Sequence, residues 1–150
     1  MKFDIAWCKF ADLDTQTLYA LLRLRQQVFI LEQQSIYEDL DDLDQQSWHL
    51  LIKDDNRLAG YARLRADITA YAYKFERLVL DPQYRSQGLG KVLMQQLLAK
   101  SAELGQFSKL KLSAQSHLVP FYQRFGFAAI GQEYDDGGIP HRDMIGEHSV

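Results

Sequence analysis

Residues Leu78 to Met94 read L-V-L-D-P-Q-Y-R-S-Q-G-L-G-K-V-L-M. An apolar run breaks at Asp81-Pro82, passes Arg85, Gly88 and Gly90, and becomes a helical pattern. That is a strand, a tight loop and a helix N-terminus. The first amides of a helix have no partner within it, and the helix dipole favours negative charge there. Gly88 and Gly90 have no Cβ to keep a ligand from the backbone. Arg85 adds a cation at the mouth. The chemistry on offer is anion binding, and a diphosphate is the natural guest. A P-loop is excluded, because Arg85 stands at its first glycine position and Val92 follows Lys91 where Ser or Thr is required. A dinucleotide fingerprint is excluded too, since Leu93 occupies the place of the third glycine. A glycine turn before a helix, without a ligand, is the plain alternative.

Other residues able to do chemistry are scattered. His49, His117 and His141 carry imidazoles that titrate in a useful range for proton transfer. None forms an H-x-x-x-H pair, so no metal site is expected. Cys8 is the one cysteine; a nucleophile is conceivable, but its strand-like surroundings favour an inert buried thiol. Glu38, Asp39, Asp41, Asp42 and Asp44 form an acidic loop. It lacks the central Gly and final Glu of an EF-hand. Such a loop is expected to be solvated; bordering an acceptor site, it would attract a cationic amine.

The elements that must position these groups follow from periodicity. Strands are predicted over residues 3–9, 48–53, 58–65, 70–80, 110–114, 127–133 and 141–145, with a turn at Asp54-Asp55-Asn56 and a loop from Asp135 to Pro140. Helices are predicted over 15–32, 89–104 and 118–125, the first capped by Asp14 or Thr15 and the others stopped by Gly105 and Gly126. In the first helix Leu18, Leu22 and Phe29 mark the apolar face, and Arg25 and Glu32 fall inside that stripe. A charge on a buried face needs a partner. Those two residues are either a structural pair or cap, or they line a substrate cleft. The order β-α-β-β-β-α-β-α-β-β predicts a mixed α/β sheet covered by helices, with ligand entry at the break between the fourth and fifth strands.

Composition sets the bounds. A chain of 150 residues suits one domain with a single core, so one domain over 1–150 is expected. Seventeen basic against twenty acidic side chains give a net charge of −3, with no basic run, so no nucleic-acid partner is expected. No apolar stretch is long enough for a membrane span. Asp4 and Lys9 interrupt any signal region, and the lone cysteine fits a reducing cytosol, so a cytoplasmic location is expected.

Two motifs, taken together, carry a resemblance. Arg85-x-x-Gly88-x-Gly90 after L-V-L-D-P resembles the acetyl-CoA signature of the GNAT superfamily of N-acetyltransferases. Phe121-Tyr122-x-x-x-Gly126-Phe127 resembles its closing motif. Leu24-Arg25-x-x-Val28-Phe29-x-x-Glu32-Gln33, Tyr37 with the acidic loop, and Gly138-Ile139-Pro140-His141 are similar to the ElaA-like branch. The resemblance covers nearly the whole chain. It implies a mostly antiparallel mixed sheet with splayed central strands flanked by helices. It also implies acetyl-CoA as acyl donor, attacked directly by an acceptor amine.

By that resemblance Arg85, Ser86, Gln87, Gly88, Leu89, Gly90 and Lys91 hold the pyrophosphate. The backbone of Leu78, Val79 and Leu80 pairs with the pantetheine arm, as a strand edge pairs with any amide-bearing chain. Strands splayed there also expose an amide to a developing oxyanion. Many members carry Asn where this chain has Gln115, which leaves that cofactor contact less secure. Tyr122 is the implied acid: a phenol stays protonated at neutral pH and can protonate the departing thiolate. The bland reading of Tyr122 is core packing beside Phe121 and Phe125. Glu76 is a candidate base on the fourth strand, or a solvated strand residue; His49, His117, His141 and a water chain are alternatives. Arg25, Glu32, His117 and His141 are the expected acceptor-side residues. A homodimer is the default expectation for a symmetric enzyme. An acyl-CoA sensor without turnover and a transferase of longer acyl chains are the competing functions.

Overall fold

The computed structural model describes residues 3–149. Seven strands form one sheet in the order β1-β2-β3-β4-β5-β7-β6. The strands are β1 (Asp4–Lys9), β2 (Trp48–Asp54), β3 (Arg57–Asp67), β4 (Ala72–Leu80), β5 (Lys109–Gln115), β6 (Ala128–Asp136) and β7 (Ile139–Glu147). Helices α1 (Thr15–Arg25), α2 (Leu89–Leu104) and α3 (Val119–Gln123) connect and cover them. Every neighbouring pair is antiparallel except β4 and β5.

That parallel pair is the key to the architecture. It is registered only at Ala72↔Lys109, Tyr73↔Leu110 and Lys74↔Lys111. Beyond Lys74 the two strands part, and a wedge opens in the middle of the sheet. The splayed centre expected from the resemblance is therefore present.

Helix α2 begins at Gly88, whose φ of 81° ends the preceding loop, and stops at Gly105, φ 69°. Leu89, Leu93, Met94 and Leu97 recur at helical spacing and are buried against Leu50, Ile52, Leu64, Phe75, Leu110, Leu112 and Met144. On the other face of the sheet α1 packs Leu21, Leu24 and Val28 on Leu51, Tyr61 and Val79. Leu18, Leu22 and Phe29, predicted to mark that face, are only partly buried beside it. The stripe is turned by one residue, and Arg25 still lies within it. Asp14 caps α1, its carboxylate accepting from the Thr17 N–H at 2.7 Å.

Several boundaries differ from expectation, and three have a local cause or bear on the site. The predicted helix over 15–32 changes to π geometry over Gln26–Glu32. The fourth strand starts at Ala72, because Asp67 accepts from the Ala70 N–H and Tyr71 takes a φ of 51°. The predicted loop Asp135–Pro140 is a two-residue hairpin turn: Gly137 and Gly138 have φ of 63° and 85°. Two consecutive positive φ values suit the twist of a tight hairpin, and glycine reaches them without strain. Pro140 is tolerated because β5 ends at the Gln115↔His141 pair, leaving only β6 beside it.

Candidate active site

The wedge between β4 and β5 is a cavity of about 320 Å³. Its walls alternate as strands must. Leu110, Leu112 and Ala114 of β5 point mainly into the core, and Lys111, Ser113 and Gln115 occupy the alternate positions that line the open face. Asp143 and His141 of β7 lie opposite Ser113 and Gln115 in register. Gln115 also donates to Gln33, another residue of the lining, at 3.1 Å.

On the β4 side the ladder to β3 is broken once. Register passes from Tyr61↔Val79 to Arg63↔Glu76, so β4 carries one extra residue. Arg77 takes a φ of 57° there. This is a β-bulge in the ladder to β3, and on its other edge β4 has no β5 partner beyond Lys74, so that edge is unpaired at the wedge. A bulky residue with positive φ needs holding. Arg77 Nε lies 2.8 Å from Asp39 Oδ1, Nη2 donates to the Asp39 carbonyl at 3.2 Å, and the Tyr37 ring lies 5.8 Å from its guanidinium.

Asp39 belongs to a larger charge network. Arg25 is fully buried and donates to Asp39 and Asp44, each at 2.8 Å, and to the Asp39 carbonyl at 2.9 Å. Arg63, also fully buried, donates to Asp41 at 2.8 Å, Asp44 at 2.9 Å and Glu76 at 3.0 Å. Burial works to raise the pKa of Asp44, but Arg25 and Arg63 outweigh it and hold the carboxyl below its ordinary range. Burial likewise opposes ionisation of Asp41, and Arg63 reverses the sign. The acidic loop is thus neither simply solvated nor a free lure for cations: Asp39, Asp41 and Asp44 are neutralised from within.

Glu76 lines the cavity, yet both its oxygens are engaged. Arg65 donates to it at 2.8 and 3.1 Å and Arg63 at 3.0 and 3.2 Å. Burial pushes its pKa up, but the arginines pull it further down. A carboxylate so held is a poor proton acceptor.

Tyr122 lines the wedge from α3 and is 8% exposed. Burial alone pushes its pKa up to about 12. Pro120 sits in the first turn of the short helix, which ends at Gln123, and Gly126, with a φ of 89°, closes the turn that follows. The two sequence motifs touch through Gly90: a Cβ there would lie 3.5 Å from the Phe121 ring. Near that point the first turn of α2, Leu89 to Lys91, offers its unpaired amides. Ser86 and Gly88 take positive φ in the loop before it. Asp81 anchors the loop by accepting from the Gln83 N–H at 2.9 Å and from Arg57 at 3.0 Å.

The expected acceptor-side residues divide. His141 lines the cavity; His117 is exposed on the turn before α3, away from the lining. Arg25 is structural, with its guanidinium consumed by the acidic loop. Glu32 is not part of the cavity lining and is paired with Arg85 at 2.9 Å. His49 is buried, accepting from the Tyr61 hydroxyl at 2.6 Å and donating to the Asp44 carbonyl at 2.8 Å. Burial lowers its pKa, keeping it neutral. Sequence reasoning missed Tyr134, Ser113 and Asp143. The Tyr134 hydroxyl meets Ser113 Oγ and donates to Asp143 at 2.6 Å. The alternation of β5 was the signal that could have found Ser113. Among the described residues no cluster of His, Cys, Asp and Glu could hold a metal ion, and no helix is long and apolar enough to cross a membrane.

An unpaired strand edge at a bulge, a helix N-terminus with an arginine beside it, and a buried phenol fit an amide-bearing diphosphate ligand. Known proteins agree. A family model described as an acetyltransferase (GNAT) domain matches residues 13–147. Protein ElaA of Escherichia coli is 35% identical over 140 residues, 91% of this chain and 92% of that protein. The chain belongs to the GNAT superfamily, in its ElaA-like branch.

The crystal structure of Escherichia coli ElaA superposes with a TM-score of 0.91, covering 97% of this chain and 100% of that one. An acyl-CoA N-acyltransferase from Pseudomonas aeruginosa gives 0.89 at 36% identity, covering 96% and 99%. A UPF0039 protein, sll0451 of Synechocystis, is 39% identical over 147 residues, 97% of this chain and 96% of that protein. This GNAT protein is an N-acyltransferase, with an acyl-CoA donor and an amine acceptor.

Proposed function

We propose that the donor is acetyl-CoA and that the acceptor amine attacks its thioester directly, with no acyl-enzyme. The observation that carries this reading is the unpaired edge of β4 at the Arg77 bulge, facing the same cavity as Tyr122. The backbone of Leu78, Val79 and Leu80 is then available to the amides of the pantetheine arm. A backbone amide freed by the bulge can donate to the oxygen that gains charge as the amine adds. Leu89, Gly90 and Lys91, with Arg85, would take the diphosphate. The family model's own description supports the acetyl group.

Tyr122 supplies the proton for departing coenzyme A. Its raised pKa means the phenol is fully protonated across the neutral range, as a general acid must be. Burial disfavours the phenolate and a thiolate is a weaker base than a phenolate, so the transfer runs uphill and is completed by reprotonation of Tyr122 from the acceptor nitrogen.

Release of free thiol from acetyl-CoA across a panel of small amines, amino acids, polyamines and peptides tests the activity. Tyr122→Phe is expected to lower kcat by about 10²-fold or more, with the dissociation constant for acetyl-CoA unchanged. Saturable acetyl-CoA binding without transfer to any amine would mark a sensor. Stronger competition by longer acyl-CoAs would redirect the donor assignment.

A further inference from the structure

We propose that His141 is the general base, its Nε2 removing the proton from the incoming ammonium; the proposal rests on the acetyltransferase reading above. His141 Nδ1 lies 2.7 Å from the carbonyl oxygen of Ile139. A carbonyl only accepts, so Nδ1 carries the hydrogen and Nε2 keeps its lone pair. The ring is oriented twice over: by that bond, and by stacking on Tyr134 with centroids 6.1 Å apart and planes 26° apart. Tyr134 is itself pinned through its hydroxyl to Asp143 and Ser113. Burial and the bond to Asp143 raise its pKa, so it stays a neutral platform.

The residue lines the same cavity as Tyr122 and Leu78 and faces Gln115 across the β5–β7 pair. The competing bases are otherwise occupied: Glu76 by Arg63 and Arg65, His49 by Tyr61 and the Asp44 carbonyl. The charged and titratable groups sharing its cleft are Lys74, Glu76 and Arg77 on β4, Lys111 on β5, Asp136 and Tyr134 on β6, Asp143 on its own strand, and Tyr37. Glu76, Arg77 and Lys74 already have ion-pair partners.

The step balances without a further reactant. Nε2 takes one proton from the ammonium, and the freed nitrogen lone pair forms the C–N bond. The C–S bond breaks, and the thiolate takes the Tyr122 proton. The second nitrogen proton restores Tyr122, and His141 releases its proton to water.

The test is His141→Gln, compared with the wild type on two acceptors of one skeleton, an ordinary alkylamine and an analogue whose ammonium is already deprotonated at pH 7. The expected result is a loss of about 10²-fold in kcat on the alkylamine and little loss on the neutral analogue, with acetyl-CoA affinity unchanged. The acid-side limb of kcat/KM should also disappear. Equal losses on both acceptors with the limb retained would make His141 structural and overturn the proposal. An active wild type with an unaltered variant overturns it alone; a wild type without turnover removes the acetyltransferase reading as well. Thermal denaturation of the variant at the wild-type temperature guards against misfolding as the cause.

Discussion

Glu32 and Arg85 meet beside the loop that precedes α2, 41–42% exposed and 2.9 Å apart. An exposed pair of this kind adds little to stability. Its larger effect is on binding, because the carboxylate already answers the cation that a diphosphate needs. Glu32→Gln is expected to tighten acetyl-CoA binding by about threefold at low salt, with the gain shrinking as salt screens the site. Isothermal titration at two ionic strengths checks this, and weaker binding by the variant would mean that Glu32 supports the loop instead. At this scale the sequence was readable where a motif fixed the position: Arg85, Gly88 and Gly90 stand at the start of α2 and Tyr122 on α3, lining the wedge. It was unreadable where the partner is remote. Nothing local to Glu32 announces Arg85, fifty-three positions away, and nothing local to Arg25 announces Asp39 and Asp44. The stripe on α1 showed only that Arg25 must have a partner.

Among the elements, β4 and the acidic loop depend on each other. The loop closes over the sheet only because Arg25, Arg63 and Arg77 supply its counter-charges, and the bulge at Arg77 is held only because the loop is there. Removing one member leaves buried charge uncompensated. Asp44→Asn is expected to cost roughly 3–5 kcal/mol. Asp42→Asn, on the exposed side at a positive φ that Asn tolerates, should change stability by less than about 0.5 kcal/mol. Urea unfolding of both variants makes the comparison. The same network predicts the acid limit. Asp41, Asp44 and Glu76 have folded pKa values below their unfolded ones. Their stabilisation is therefore present above the ordinary carboxylate range, about 4, and is lost as pH falls through the folded values. Unfolding midpoints should be level between pH 7 and 5 and drop steeply below about 4; a midpoint unchanged at pH 3 would contradict the network's ionisation. Periodicity located every strand and helix of this region. It could not show the bulge, since a non-glycine residue at positive φ is imposed by tertiary ion pairs and not by local preference. The closing turn is a different case: Gly137-Gly138 is a hairpin signal in the sequence, and the acidic residues around it read as loop.

At the scale of the whole molecule, the sheet is two pieces. Strands β1 to β4 form one, β5, β7 and β6 the other, and three register pairs join them. Helix α2 lies mainly on β3 and β4, and its buried Leu93, Met94 and Leu97 share one core with Leu110 and Leu112 of the other piece. Such a seam is a weak line in the cooperative structure, where opening needs less than global unfolding. A donor arm laid along β4 would act as a stitch, adding main-chain bonds at the place where the protein's own run out. Hydrogen exchange should then show two blocs of amides in the free protein, with Lys109 to Gln115 opening at lower free energy than Leu50 to Leu64. Saturating acetyl-CoA should merge them, raising global stability by about 2.7 kcal/mol at a hundred times the dissociation constant. Unchanged protection along β5 on binding would count against the stitch. By linkage, the protein would be least cooperative when empty, and its donor would complete the sheet as well as the reaction.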